Sequence, residues 1–139
     1  MVKVMASGVF DILHYGHLFY LQEAKKLGDE LVVVVARDST VKRMKGEPII
    51  PEGLRIKLVS GLKPVDKCLL GHEDDPYKTV WEIKPDIIAL GYDQEPDERL
   101  LKEELEKRGL KVKVVRIEKY DHDVDGTRKI IDRIVKTRR

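Results

Sequence analysis

The feature that most constrains this chain is the run Leu31-Val32-Val33-Val34-Val35, five apolar residues without a polar interruption. A strand with one wet face alternates apolar and polar residues, so a continuous, mostly β-branched run demands burial on both faces. Sheets covered on both faces are built parallel, with a helix on each crossover. The rest of the chain keeps that rhythm. Apolar runs at 2–6, 67–70, 86–90 and 112–117 predict four further strands. Helical spacing joins Leu18, Leu21, Ala24 and Leu27, with Gly28 as a stop. Further helices are predicted over 51–62, 77–83 and 96–108, the first opened by Pro51 and the last stopped by Gly109. The tail from Thr127 carries Ile130, Ile131, Ile134 and Val135 on one helical stripe. The segment holding Gly46 and Pro48 reads as polar loop. No repeat, linker or low-complexity stretch divides residues 1–139, so one α/β domain with a five-stranded parallel sheet is expected.

Composition narrows the partners. Hydrophobic residues make up 42% of the 139, enough for a packed core. Charged residues reach 37%, yet 27 basic side chains face 25 acidic ones, and the net charge is only +2. A nucleic-acid binder carries a stronger basic excess, so no nucleic-acid partner is expected. No stretch approaches the roughly 20 apolar residues of a membrane span, so no membrane partner is expected either. Met1-Val2-Lys3-Val4-Met5 runs into a strand pattern with no signal-peptide cleavage site. The single cysteine, Cys68, suits a reducing compartment and sits in an apolar strand, where an inert core thiol is expected. Together these features predict a cytoplasmic protein.

In open parallel sheets, ligands sit beyond the carboxyl ends of the strands, where strand order reverses. Two chemically unusual segments follow predicted strands directly: residues 8–17 and Gly91-Tyr92-Asp93-Gln94. If strands one and four are neighbours, both segments line one crevice. The first reads Gly8-Val9-Phe10-Asp11-Ile12-Leu13-His14-Tyr15-Gly16-His17. Gly8 allows a tight turn and close approach of backbone N–H groups to a ligand. A helix beginning near Gly16 offers open N–H groups and a positive dipole end, which attract phosphate. His14 and His17, three residues apart, project beside that helix start, and Gly16 leaves room for a triphosphate. Zinc is disfavoured, because the metalloprotease pattern needs a four-residue histidine spacing with a glutamate between.

These residues resemble the nucleotidyltransferase family that contains the cytidylyltransferases and several adenylyltransferases, whose hallmark is His-x-Gly-His. Ala36-Arg37-Asp38-Ser39-Thr40, Lys63-Pro64-Val65-Asp66 and Gly91-Tyr92-Asp93-Gln94 look like its archaeal branch that adenylylates FMN. The resemblance implies a Rossmann-like three-layer sandwich, ATP and FMN as substrates, Mg²⁺ or another divalent cation, and a homodimer. It also implies backbone contacts from Gly8, Val9 and Phe10 to the triphosphate. His14, Tyr15, Gly16 and His17 would hold the α- and β-phosphates, the two histidines as the catalytic pair. Gly91 and Asp93 would face the ribose or base, and Tyr120 would close the adenine side or pack as a boundary aromatic. Thr127 and Arg128 occupy the place of a Ser/Thr-rich turn that binds the β- and γ-phosphates, with Thr127 capping the last helix and Arg128 replacing hydroxyls by charge. Two rivals remain: transfer of CMP or AMP to another small phosphate ester, and a non-catalytic nucleotide sensor.

Other features carry less. Lys42, Arg43 and Lys45 form either a basic flap that closes on phosphates, with Lys42 in contact, or a solvated loop. Arg55 reads as a surface ion pair rather than an anion ligand. Asp121-x-Asp123-x-Asp125-Gly126 with Asp132 echoes a calcium loop, but a strand precedes it and Arg128 stands at a normally apolar position, so an acidic turn is expected. The basic residues of the tail lack interleaved aromatics for base stacking. His72 and His122 are expected exposed and without partners, and Trp81 in the core.

Overall fold

The computed structural model describes residues 1–94, 97–120 and 126–138. The strands are Lys3–Gly8 (β1), Glu30–Val35 (β2), Lys67–Leu70 (β3), Ile87–Leu90 (β4) and Lys113–Arg116 (β5). The helices are Tyr15–Lys25 (α1), Asp38–Lys45 (α2), Glu52–Ser60 (α3), Pro76–Ile83 (α4), Glu98–Lys107 (α5) and Thr127–Thr137 (α6). All five strands pair parallel in the order β3-β2-β1-β4-β5. The chain therefore builds one half of the sheet outward from β1, then jumps back across β1 to start the other half at β4. This is the expected switch point, with Met5 registered on Val32 to one side and Ile88 to the other.

Period-two alternation along the strands sorts the core into two layers. Val4, Ala6, Leu31, Val33, Val35 and Ala89 face one way, against Tyr20, Leu21 and Ala24 of α1 and Val59 of α3. Met5, Val32, Val34, Ile88 and Leu90 face the other way, against Val80 and Ile83 of α4 and Leu101 and Leu105 of α5. The result is the three-layer α/β sandwich, and it explains why residues 31–35 are apolar at every position. No helix among the described residues is long and apolar enough to cross a membrane.

Several expectations are corrected. The polar segment after β2 contains a helix, α2, which hydrophobic spacing cannot reveal because Val41 is its one buried residue. Charge supports it instead, with Asp38 in the first turn and Lys42, Arg43 and Lys45 in the last. Trp81 is 50% exposed because α4 buries Thr79, Val80 and Ile83, leaving the indole on the outer face beneath the Lys84 ammonium. His72 has a partner, its Nε2 lying 3.0 Å from the Glu82 carboxylate. Cys68 is half-buried against the core, and desolvation pushes its thiol pKa up, as an inert thiol requires. The stripe on α6 is only partly covered, with Ile134 and Val135 exposed. His122, Asp121, Asp123 and Asp125 lie outside the described residues.

Candidate active site

The ends of β1 and β4 are braced from below by Tyr20, whose hydroxyl donates to Ala89 O and accepts from Ser7 N–H. Full burial drives that hydroxyl's pKa upward, so it stays a neutral bridge. Above the brace, β1 opens into the loop that leads to α1. Gly8 is required here for space rather than for an unusual backbone angle. A Cβ at this position would meet the Phe10 ring at 3.0 Å. The left-handed residue of the loop is Phe10 itself, with φ 55°, its ring 2% exposed and edge-on to His17 at 5.4 Å.

His14 and His17 cap α1 reciprocally. His14 Nδ1 accepts from Gly16 N–H at 3.0 Å, and His17 Nδ1 accepts from His14 N–H at 3.3 Å. This is a capping box in which two imidazoles replace the usual hydroxyl and carboxylate. The helix start is therefore less open than expected: Gly16 N–H is used by His14, and those of His17 and Leu18 reach His14 O. What the box achieves is orientation. With Nδ1 accepting, a neutral imidazole carries its proton on Nε2, as a donor. His17 is held in that neutral form. Burial first, then the charges of His14 and Lys45, push its pKa down to about 3.

The basic residues after β2 divide. Lys42 pairs with Glu47 at 3.2 Å and Arg43 donates to Glu73 O at 2.7 Å, while Lys45 is the one whose charge acts on His17. Asp11 secures the following loop by accepting from Ile49 N–H and Ile50 N–H. Arg55 is no surface pair. It is completely buried, donating to Val9 O, Ala36 O, Ile50 O and Asp38. Spacing on an amphipathic helix cannot distinguish such an arginine from an exposed one, and the cue lay only in Asp38, seventeen residues away.

Across the switch point, residues 91–94 are held by side chains that sequence reasoning missed or left without a role. Gln94 accepts from Gly91 N–H at 2.9 Å and donates to Ser7 O at 2.6 Å, bridging β4 to β1. Arg116, at the end of β5, donates to Gly91 O and Gln94 O and pairs with Glu98. Asp93 is exposed at the tip of this loop. Tyr120 packs edge-on against Tyr15 at 4.8 Å and tilted by 45° against Phe19 at 5.4 Å, an aromatic wall beside the start of α1.

The structure thus gathers Gly8, Val9, Phe10, His14, Tyr15, Gly16 and His17 along the passage from the end of β1 into the first turn of α1, with Tyr120 against Tyr15, and sets Gly91 and Asp93 just past the neighbouring strand end. Thr127 does not cap α6. The capping position is Gly126, which makes no side-chain cap bond. Among the described residues, no hydrogen bond, ion pair or ring contact joins Thr127 or Arg128 to His17.

Known proteins resemble this chain in sequence and in fold. The sequence profile of the cytidylyltransferase-like family matches residues 5–134. The FAD synthase of Aciduliprofundum boonei is 65% identical over 136 residues, 97% of this chain and 91% of that protein. The FAD synthase of Thermoplasma acidophilum is 57% identical over 97% of this chain and 95% of its own length. A crystal structure described as a lipopolysaccharide core biosynthesis protein, from Thermoplasma volcanium, superposes with TM-score 0.85 at 61% identity, covering 87% of this chain and 99% of that one. Pantothenate synthetase of Thermus thermophilus, at 13% identity, shares the fold with TM-score 0.61 over 84% of this chain and 55% of its own.

Proposed function

This chain belongs to the cytidylyltransferase-like family, and on that premise we infer that it transfers AMP from ATP to FMN, giving FAD and pyrophosphate. The observation that carries the reading is 65% identity to an FAD synthase across 97% of the chain. The site geometry is of the kind the reaction needs. A phosphate oxygen of FMN attacks the α-phosphorus of ATP, and as that bond forms, the bond to the bridging oxygen breaks and pyrophosphate leaves. The nucleophile is already an anion, so the protein need not remove a proton. It must align two repelling anions and meet the charge growing on the leaving group.

In this reading the Nε2–H groups of His14 and His17 donate to phosphate oxygens. Because His17 is held neutral, it supplies direction rather than charge, and the positive charge of Lys45, which acts on it electrostatically, adds to the field the phosphates meet. Asp93, Gly91 and Tyr120 are assigned to the nucleoside side, and Thr127, Arg128 and Lys42 to the outer phosphates, Lys42 by exchanging its Glu47 partner for phosphate. Among the described residues no three His, Cys, Asp or Glu side chains converge on a common point. The divalent cation would enter with the triphosphate, as part of the ATP substrate, in keeping with the reluctance of Mg²⁺ to shed water for protein cages. A cytoplasmic homodimer completes the proposal, to be checked by sedimentation of the purified chain.

The test is incubation with ATP, Mg²⁺ and FMN, resolving flavins by chromatography while assaying pyrophosphate. FAD and pyrophosphate in equal amounts are expected. Pyrophosphate released only with CTP would reassign the donor, release only with another phosphate ester would reassign the acceptor, and none with any pair would leave a nucleotide sensor.

A further inference from the structure

Arg55 has none of its surface exposed, and each of its three guanidinium nitrogens donates a hydrogen bond. Nε donates to Ile50 O at 2.8 Å, Nη1 to Val9 O at 2.8 Å and Ala36 O at 2.7 Å, and Nη2 to Asp38 Oδ1 at 2.6 Å. A buried charge with a counter-charge and three carbonyls is satisfied where it stands, so it is not held in reserve for a ligand anion.

The contact to Val9 O has a consequence one bond further on. In a planar trans peptide the carbonyl and the following N–H point in opposite directions. Fixing Val9 O on the guanidinium aims Phe10 N–H away from Arg55. That N–H has no hydrogen-bond partner among the described residues. It belongs to a residue at φ 55°, a region non-glycine residues seldom adopt, whose ring is wedged between Gly8 and His17. Strained backbone carrying an unused donor, next to a phosphate-facing imidazole, marks a donor kept for something outside the chain.

The family resemblance already implies a backbone contact from Phe10 to the triphosphate; we propose that Arg55 is the positioning residue for that contact, holding the Val9–Phe10 peptide so that Phe10 N–H faces the phosphates of the bound nucleotide. The same guanidinium holds Ala36 at the exit of β2 and Ile50 ahead of α3, so the loop and its surroundings share one anchor. The proposal rests on the adenylyl-transfer reading, and its test does not require the acceptor to be FMN.

The experiment follows backbone amides of the ¹⁵N-labelled full chain during titration with pyrophosphate, the leaving product. In the wild type the Phe10 amide is expected to shift on binding. Arg55→Lys keeps the charge but replaces the planar fork by a single ammonium, so the Phe10 response should be lost and kcat should fall about a hundredfold, with KM for FMN little changed. Asp38→Asn removes the counter-charge and leaves the carbonyl contacts, and should retain the Phe10 response. A Phe10 amide silent to pyrophosphate in the wild type overturns the proposal without any variant, as does Arg55→Lys with unchanged response and kcat. A responding amide in a chain that makes no FAD would instead leave this proposal standing and reject the acceptor.

Discussion

His14 and His17 stack with ring centroids 3.9 Å apart and planes 28° apart, and each accepts a backbone N–H of the same helix start through Nδ1. Stacked imidazoles this close disfavour a second positive charge, and both are turned to present Nε2. The pair is therefore arranged to donate hydrogen bonds outward, while its other face does the work of a helix cap. Stability and chemistry draw on opposite nitrogens of the same rings.

His17→Asn should lower kcat by about 10²–10³, the usual effect of losing one preorganised donor. It should also leave a pH signature. The His17 pKa falls from 6.5 in the unfolded chain to about 3 in the fold, chiefly through burial. Between those values the unfolded chain binds a proton that the folded chain does not, so stability rises with pH across the window and levels off above it. Denaturant midpoints should climb between about pH 4 and 6.5 in the wild type, and less in the variant. Equal slopes would show that His17 is not held neutral.

Gly8→Ala should destabilise by about 1 kcal/mol and reduce activity roughly tenfold. The added Cβ meets the Phe10 ring at 3.0 Å, and that ring is pressed against His17, so it cannot yield without moving the imidazole. Pairing it with Phe10→Leu should recover part of the stability. Thermal denaturation of the four proteins of this cycle measures the coupling, and full additivity would mean the ring is free to shift.

Gln94→Leu strips partners from Ser7 O and Gly91 N–H together and should cost about 1–3 kcal/mol. Gln94→Glu should cost at least as much, since it keeps the acceptor for Gly91 but sets a carboxylate against the Ser7 carbonyl. Chemical denaturation distinguishes these outcomes. A glutamate variant as stable as wild type would show that the bridge to β1 contributes nothing.

Lys45→Ala should impair turnover more than Lys42→Ala. The charge of Lys45 acts on His17, whereas Lys42 is engaged by Glu47. Steady-state kinetics with ATP and FMN decide the order, and equal losses would assign both lysines to one flap.

The layers of this fold were legible in the sequence because burial on two faces leaves a local mark. Residues 31–35 could be read as a central strand, whereas the adjacency of β1 and β4 was a condition of the crevice, and the strand order supplied it. The histidine motif was legible for a similar reason, since its parts lie within four residues. Helix α2 was not, because one buried valine makes no periodic stripe. Trp81 was misplaced because residue type suggested core while helix phase placed it on the outside.

What the sequence alone determined is whatever depends on neighbours along the chain: most of the strands and helices, the parallel sheet, and the place of the histidine motif after β1. Only the tertiary structure decided the roles of Arg55, Gln94 and Arg116. Their partners lie at Val9, Ser7 and Gly91, at sequence separations of 46, 87 and 25. A guanidinium or amide shows no preference in the sequence for one distant carbonyl over another. Which carbonyl it meets is set by the strand order, and the order β3-β2-β1-β4-β5 brings those ends together only when the sheet is complete.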